Sequence, residues 1–104
     1  MEGPLILVVE DEYPLQGLVE EALTEGGFAT DILSSGEEAL TLFKGGTKNY
    51  RALVTDVCLK GRMNGWEVAR QIRKIKRRAR MQISLKRLRK RCAANRARAR
   101  ANHR

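Results

Sequence analysis

Past Glu67 this 104-residue sequence contains no aspartate or glutamate, and past Trp66 it contains no aromatic residue. The first absence divides the chain. Through residue 72 twelve acids face six Lys/Arg, a net of −6, while the last 32 residues carry fifteen Lys/Arg, a net of +15. The overall +9 averages two compositions that need separate readings. Cysteine is scarce as well: Cys58 and Cys92 have no metal-type spacing and no disulfide framework around them. Free thiols in a reducing cytoplasm are the expectation. No run of about twenty apolar residues exists, which excludes a helical membrane span. The apolar stretch after Met1 is only Leu5 to Val9, without a basic region before it or a small-residue cleavage site after it, so a secretory leader is not expected. The length suits one small domain with a modest core.

The acidic part alternates between two periods. Leu5 to Val9 is a continuous apolar run, as in a strand buried on both faces, and it ends in Glu10-Asp11-Glu12. Pro14 suits a first helical turn, and Leu15, Leu18, Val19, Ala22 and Leu23 mark one helical face that Gly26-Gly27 terminates. Phe28 to Leu33 reads as a second strand. Ser35-Gly-Glu-Glu38 is a capping box opening a helix with Ala39, Leu40 and Phe43 inward, stopped at Gly45-Gly46. Ala52 to Val57 is a third strand. A glycine-containing loop leads to Asn64 as the cap of a third helix carrying Trp66, Ala69 and Ile72. Strand and helix in strict alternation predict an α/β fold, a doubly wound parallel sheet covered on both faces by right-handed crossovers.

Beyond Arg73 two patterns compete. Met81, Leu85, Leu88 and Cys92 form a narrow apolar stripe on a helix otherwise coated with Lys/Arg. Met81, Ile83 and Leu85 also alternate, as in a fourth strand. The division is therefore residues 1–73, a βαβαβα portion, and residues 74–104, a basic tail that is helical or partly disordered. Without a further strand, the third strand would be an unpaired apolar edge that invites a partner chain.

Glu10 and Asp11 close the first strand, and Asp56 lies towards the C-terminal side of the third. Ligands of open parallel sheets bind at the carboxyl ends of strands, where neighbouring crossovers leave in opposite directions. If the first and third strands are neighbours, three carboxylates converge, and their repulsion calls for protons or a cation. Mg²⁺ suits a few carboxylates with water and a phosphate oxygen. With Glu10 and Asp11 engaged by the metal, Asp56 is the candidate nucleophile for phosphoryl transfer. Glu12 reads as a helix-capping or solvated acid.

Leu-Val-Val-Glu10-Asp11-Glu12, Leu-Val-Thr-Asp56 about 45 residues later, and Met-Asn-Gly65-Trp-Glu-Val-Ala-Arg together resemble the receiver domain of two-component response regulators, over residues 5 to about 73. The resemblance implies a five-stranded fold of the CheY-like, flavodoxin-like kind. It implies a phosphoacceptor rather than an enzyme, taking a phosphoryl group from a histidine kinase or phosphotransfer protein onto Asp56 in the cytoplasm. It also implies Glu10, Asp11, Asp56 and the Cys58 backbone carbonyl as Mg²⁺ ligands. The loop from Asp56 to Gly65 is one residue longer than the common pattern, a tolerable surface insertion. Receivers continue with a strand ending in Ser or Thr and another ending in Lys. After residue 73 no apolar strand leads to Lys-Pro, and Ser84, the one candidate hydroxyl, reads as coincidence. Impaired signal output is the expectation.

Three accounts of the tail remain. It is a nonspecific nucleic-acid arm, lacking stacking aromatics and with His103 alone. It is a helical seam that makes homo-oligomers and covers the exposed sheet edge. Or it is an out-of-frame reading of a GC-rich gene, which best explains the abrupt loss of acids, with helical self-association as the physical outcome.

Overall fold

Six backbone segments between Leu5 and Ile75 pair as strands or wind as helices in the alternating order the periodicity predicts. The computed structural model describes residues 3–46, 48–75 and 81–86. Strand β1 (Leu5–Val9) leads to helix α1 (Tyr13–Glu25), β2 (Ala29–Leu33), α2 (Gly36–Lys44), β3 (Ala52–Asp56), α3 (Gly65–Ile75) and β4 (Gln82–Lys86). The four strands are parallel in the order β2-β1-β3-β4, with Leu7 opposite Asp31 on one side of β1 and Leu53 on the other. The doubly wound expectation holds. Among the described residues no helix is long and apolar enough to cross a membrane.

Alternation along the strands divides the interior into two layers. Leu7, Val9 and Leu53 face α2 and α3, where Ala39, Leu40, Phe43, Val68, Ala69 and Ile72 complete the larger core. Ile6 and Val8 face α1 and meet Val19, with Leu23, Ile32, Ala52 and Val54 partly buried around them. The apolar stripe of α1 is only partly used, since Leu18 is 62% exposed. A single helix packs on that face among the described residues, so it covers β1 and β2 and leaves the outer flank of its own stripe in solvent.

Three local expectations about helix ends are met. Pro14 stands in the first turn of α1, and Gly27 takes φ +89° after its last turn. Ser35 Oγ accepts the Glu38 N–H at 3.1 Å and donates to Glu38 Oε1 at 3.0 Å. Asn64 Oδ1 accepts the Glu67 N–H at 2.9 Å at the start of α3.

The basic part departs from the helical expectation. Gln82–Lys86 is a strand, paired parallel with β3 so that Leu53 opposes Ile83 and Asp56 opposes Lys86. The open edge expected on β3 is thus filled, and the outer strand of the described sheet is β4. A helix with the Met81/Leu85 stripe would need a facing helix, and its Lys/Arg would repel one another along every turn. As a strand the same residues satisfy the β3 ladder, bury Met81 and pack Ile83 against the α2–α3 core. The remaining stripe positions, Leu88 and Cys92, lie outside the described residues.

One polar cluster ties the α2–β3 connection to β2. Tyr50 Oη donates to Asp31 Oδ2 at 2.7 Å, Lys48 Nζ donates to the same oxygen at 2.9 Å, and the Tyr50 ring stacks on Phe43. Burial pushes the Asp31 carboxyl up, but the two hydrogen bonds and the Lys48 charge outweigh it and hold it below its ordinary 3.8. Burial and the neighbouring Asp31 carboxylate push the Tyr50 phenol up. A depressed carboxyl contributes stability that is present above its unfolded value and is lost as pH falls through the folded one. Tyr50→Phe is expected to cost about 1.5 kcal/mol at neutral pH. Urea unfolding checks this, and the cost should shrink in acid below the ordinary carboxyl range; an equal cost in strong acid would contradict it.

Candidate functional site

The β1–β3 register pairs Val9 with Thr55, so the next residues, Glu10 and Asp56, emerge side by side at the carboxyl end of adjacent strands. The helix after β1 packs on one face and those after β2 and β3 on the other, which makes this the switch point of the sheet. Glu10, Asp11 and Asp56 each offer a carboxylate oxygen, and the three oxygens lie within 4.8 Å of one another. Glu10 is 2% and Asp56 3% exposed, with Asp11 half-buried at the rim.

Each carboxylate is oriented by a backbone N–H. Glu10 Oε2 accepts from Glu12 N at 2.8 Å, Asp11 Oδ2 from Lys60 N at 2.8 Å, and Asp56 Oδ1 from Cys58 N at 3.2 Å. Glu10 is anchored further by its own main chain. Its N–H donates to Leu33 O at 2.9 Å, and its carbonyl accepts from Gln16 Nε2 at 2.6 Å. Glu12 occupies the N-cap position of α1, and its side chain makes no cap bond.

Fully ionised, two such carboxylates about 4.8 Å apart repel by roughly 3 kcal/mol at an effective dielectric constant near 20. A divalent cation bound between them turns that repulsion into attraction. Three oxygen donors, two of them buried, fit a hard cation of the Mg²⁺ type.

The loop after β3 is packed down by a glycine. Gly65 N donates to Val57 O at 2.9 Å, and a Cβ at Gly65 would collide with the Asp56 carbonyl oxygen. Cys58 sits on this loop two residues past Asp56. It is disulfide-bonded, which corrects the free-thiol expectation for it; Cys92 lies outside the described residues. Sulfur pairing depends on where the fold brings two side chains, and linear spacing does not show that.

Two contributors escaped sequence reasoning. Gln16 reaches back from the first turn of α1 to the Glu10 carbonyl and to Ser34. Glu37, in the first turn of α2, accepts the Arg62 N–H at 3.1 Å. Both are polar residues in a first helical turn at the carboxyl end of the sheet, which was the available clue. Ser84 pairs with Val54, two residues short of the Asp56 level, and is exposed.

A parallel sheet wound in this way, with a carboxylate trio at its switch point, defines a doubly wound α/β domain with an acidic site at its strand ends. The sequence matches the family described as response regulator receiver domain over residues 6–97, and the chain belongs to that family. It is 40% identical over 74 residues to the transcriptional regulatory protein TcrA of Mycobacterium tuberculosis, an alignment spanning 71% of this chain and 28% of that protein. The chain therefore spans under a third of that relative's length. Among solved structures, the response regulator TrrA of Thermotoga maritima in complex with the histidine kinase ThkA aligns at TM-score 0.68 and 31% identity, over 80% of this chain and 85% of that one. TrrA in complex with Mg²⁺ and beryllium fluoride aligns at TM-score 0.69 and 27% identity, over 95% and 96%.

Gly65→Ala is expected to destabilise the fold by on the order of 1–3 kcal/mol, because the new methyl meets backbone that cannot rotate away. Chemical denaturation measures this, and an unchanged midpoint would contradict the close approach.

Proposed function

We propose that Asp56 accepts a phosphoryl group from the phosphohistidine of a histidine kinase or phosphotransfer protein, with Mg²⁺ held by Glu10, Asp11, Asp56 and the Cys58 carbonyl. The observation that carries this reading is the meeting of three carboxylates within 4.8 Å at the end of β1 and β3, with Asp56 as the last residue of β3. The TrrA complexes with a kinase and with Mg²⁺ and beryllium fluoride support the same assignment by similarity.

An Asp56 oxygen attacks phosphorus in line, the O–P bond forms as the N–P bond breaks, and the imidazole nitrogen leaves with the electron pair and takes a proton. Bound Mg²⁺ would offset the charge on the transferring group. The Cys58 N–H fixes the Asp56 carboxylate, and burial of Glu10 and Asp56 keeps bulk water from their surroundings. The domain acts as a phosphoacceptor and not as a turnover enzyme, in the cytoplasm where such kinases present phosphohistidine.

Reception and readout are separated in this chain. β4 ends on Lys86, opposite Asp56, and its hydroxyl residue Ser84 lies two positions earlier, about 7 Å down the strand. A hydroxyl at the Asp56 level is what a receiver uses to report the phosphate, so output is impaired in this reading. Incubation with a small phosphodonor and Mg²⁺ should add one phosphate, and Asp56→Asn should abolish it, as intact mass spectrometry reads. Failure of the wild type to gain mass, where an intact receiver does, would refute the proposal.

A second reading concerns the basic part, residues 74–104. It contributes β4 to the receiver sheet, and among the described residues β4 is the outer strand, with Ile83 and Leu85 half-buried beside Trp66, which is 53% exposed. These residues line a groove of about 340 Å³ between α3 and β4. An outer strand with apolar flanks favours self-association through that edge. Nonspecific nucleic-acid contact by the Lys/Arg excess is secondary and salt-dependent. Sedimentation equilibrium should show dimers or larger species that Leu85→Lys weakens; a monomer at all accessible concentrations would exclude the edge contact.

A further inference from the structure

Glu37 belongs neither to the carboxylate trio nor to the capping box beside it, yet its carboxylate is directed at the loop that roofs the site. The Ser35–Glu38 box fixes the first turn of α2. Gly36 lets that turn lie close to α3, since a Cβ there would run into Val68. From this position Glu37 Oε2 accepts the Arg62 N–H at 3.1 Å. Gly61 adopts φ +97°, and its backbone lies so near that an added Cβ would sit 3.3–3.4 Å from the two Glu37 oxygens. The other oxygen, Oε1, is buried without a hydrogen-bond partner among the described residues. A desolvated carboxylate oxygen with no donor disfavours folding, so stability alone is a poor explanation for an acid here.

The backbone from Cys58 to Arg62 is held at three points by acids from three elements. Asp56 at the end of β3 takes the Cys58 N–H, Asp11 after β1 takes the Lys60 N–H, and Glu37 on α2 takes the Arg62 N–H. Two of these acids are in the trio, and Glu37 anchors the far end. We infer that Glu37 is a positioning residue for the divalent-cation site: it holds the Gly61–Arg62 turn so that Lys60 orients Asp11 and Cys58 stays over Asp56. The loop from Asp56 to Gly65, one residue longer than the common receiver pattern, thereby gains its own clamp. This inference rests on the proposed Mg²⁺ site and assigns a residue outside it.

Partners of metal ligands that act through orientation typically change metal affinity about 10–100-fold when removed. Glu37→Ala should weaken Mg²⁺ binding about tenfold by calorimetry, with no phosphodonor present. Amide hydrogen exchange at Arg62 and Lys60 should speed up in the same variant. Glu37→Gln keeps an oxygen acceptor, so its Mg²⁺ affinity and its Arg62 exchange should stay near wild type. Wild-type affinity in Glu37→Ala would overturn the inference. So would a Glu37→Gln variant that binds as weakly as Glu37→Ala while Arg62 remains protected, because the charge and not the clamp would then act. If Glu37→Ala does not fold, Gly61→Ala carries the test: a side chain at φ +97° is strained and crowds the Glu37 carboxylate, so undiminished Mg²⁺ affinity there would overturn the inference. A wild type that binds no Mg²⁺ would overturn the proposed function together with it, whereas normal wild-type binding with an unaffected Glu37→Ala would remove the clamp alone.

Discussion

Mutual repulsion among Glu10, Asp11 and Asp56 is the constraint on which the rest of the molecule depends. Parallel pairing of β1 with β3 forces their carboxyl ends together, and the oxygens of three acids fall within 4.8 Å. A fold maximising stability alone would not place like charges so close in a largely buried crevice. Their surroundings restrain the repulsion without removing it. Each acid receives a backbone N–H, from Glu12, Lys60 or Cys58, and each bond fixes a carboxylate in an orientation that a cation can exploit. Membership of the receiver family sets that arrangement in a domain of two-component signalling.

The sheet order supplies the site, and the helices supply its rigidity. Leu7, Val9 and Leu53 lock the central strands against α2 and α3, while Gly65 brings α3 against the Asp56 carbonyl. Rigid strand ends suit a nucleophile whose position must not wander. The opposite side is less complete. Leu18 is exposed on α1, and Ala52 and Val54 are only partly buried beneath that helix layer. Among the described residues, the face covered by α2 and α3 is therefore better enclosed than the face covered by α1.

Much of this was legible before any coordinates. The apolar runs of β1 and β3, the Ser35–Glu38 box, Asn64 and the glycine stops each carry local physics strong enough to read from spacing. Glu10, Asp11 and Asp56 were legible because strand ends are predictable and a parallel sheet gathers them. What stayed hidden depends on partners distant in sequence. β4 was obscured because the residues from Met81 to Leu85 fit two periods, and only the vacant β3 edge decides between them. The Lys60 N–H on Asp11 and the Glu37 contact to Arg62 involve backbone donors, which no side-chain pattern reveals. The state of Cys58 was missed for a related reason, since pairing follows proximity in space.

The central claim is that the carboxylate trio is a divalent-cation site beside a nucleophilic Asp56. Crystals grown with Mn²⁺, which takes the same oxygen ligands and scatters anomalously, test it most directly. The account predicts one strong anomalous peak bridging the carboxylates of Glu10, Asp11 and Asp56. A crystal with those carboxylates ordered and no peak among them, or with the ion bound elsewhere, would contradict it.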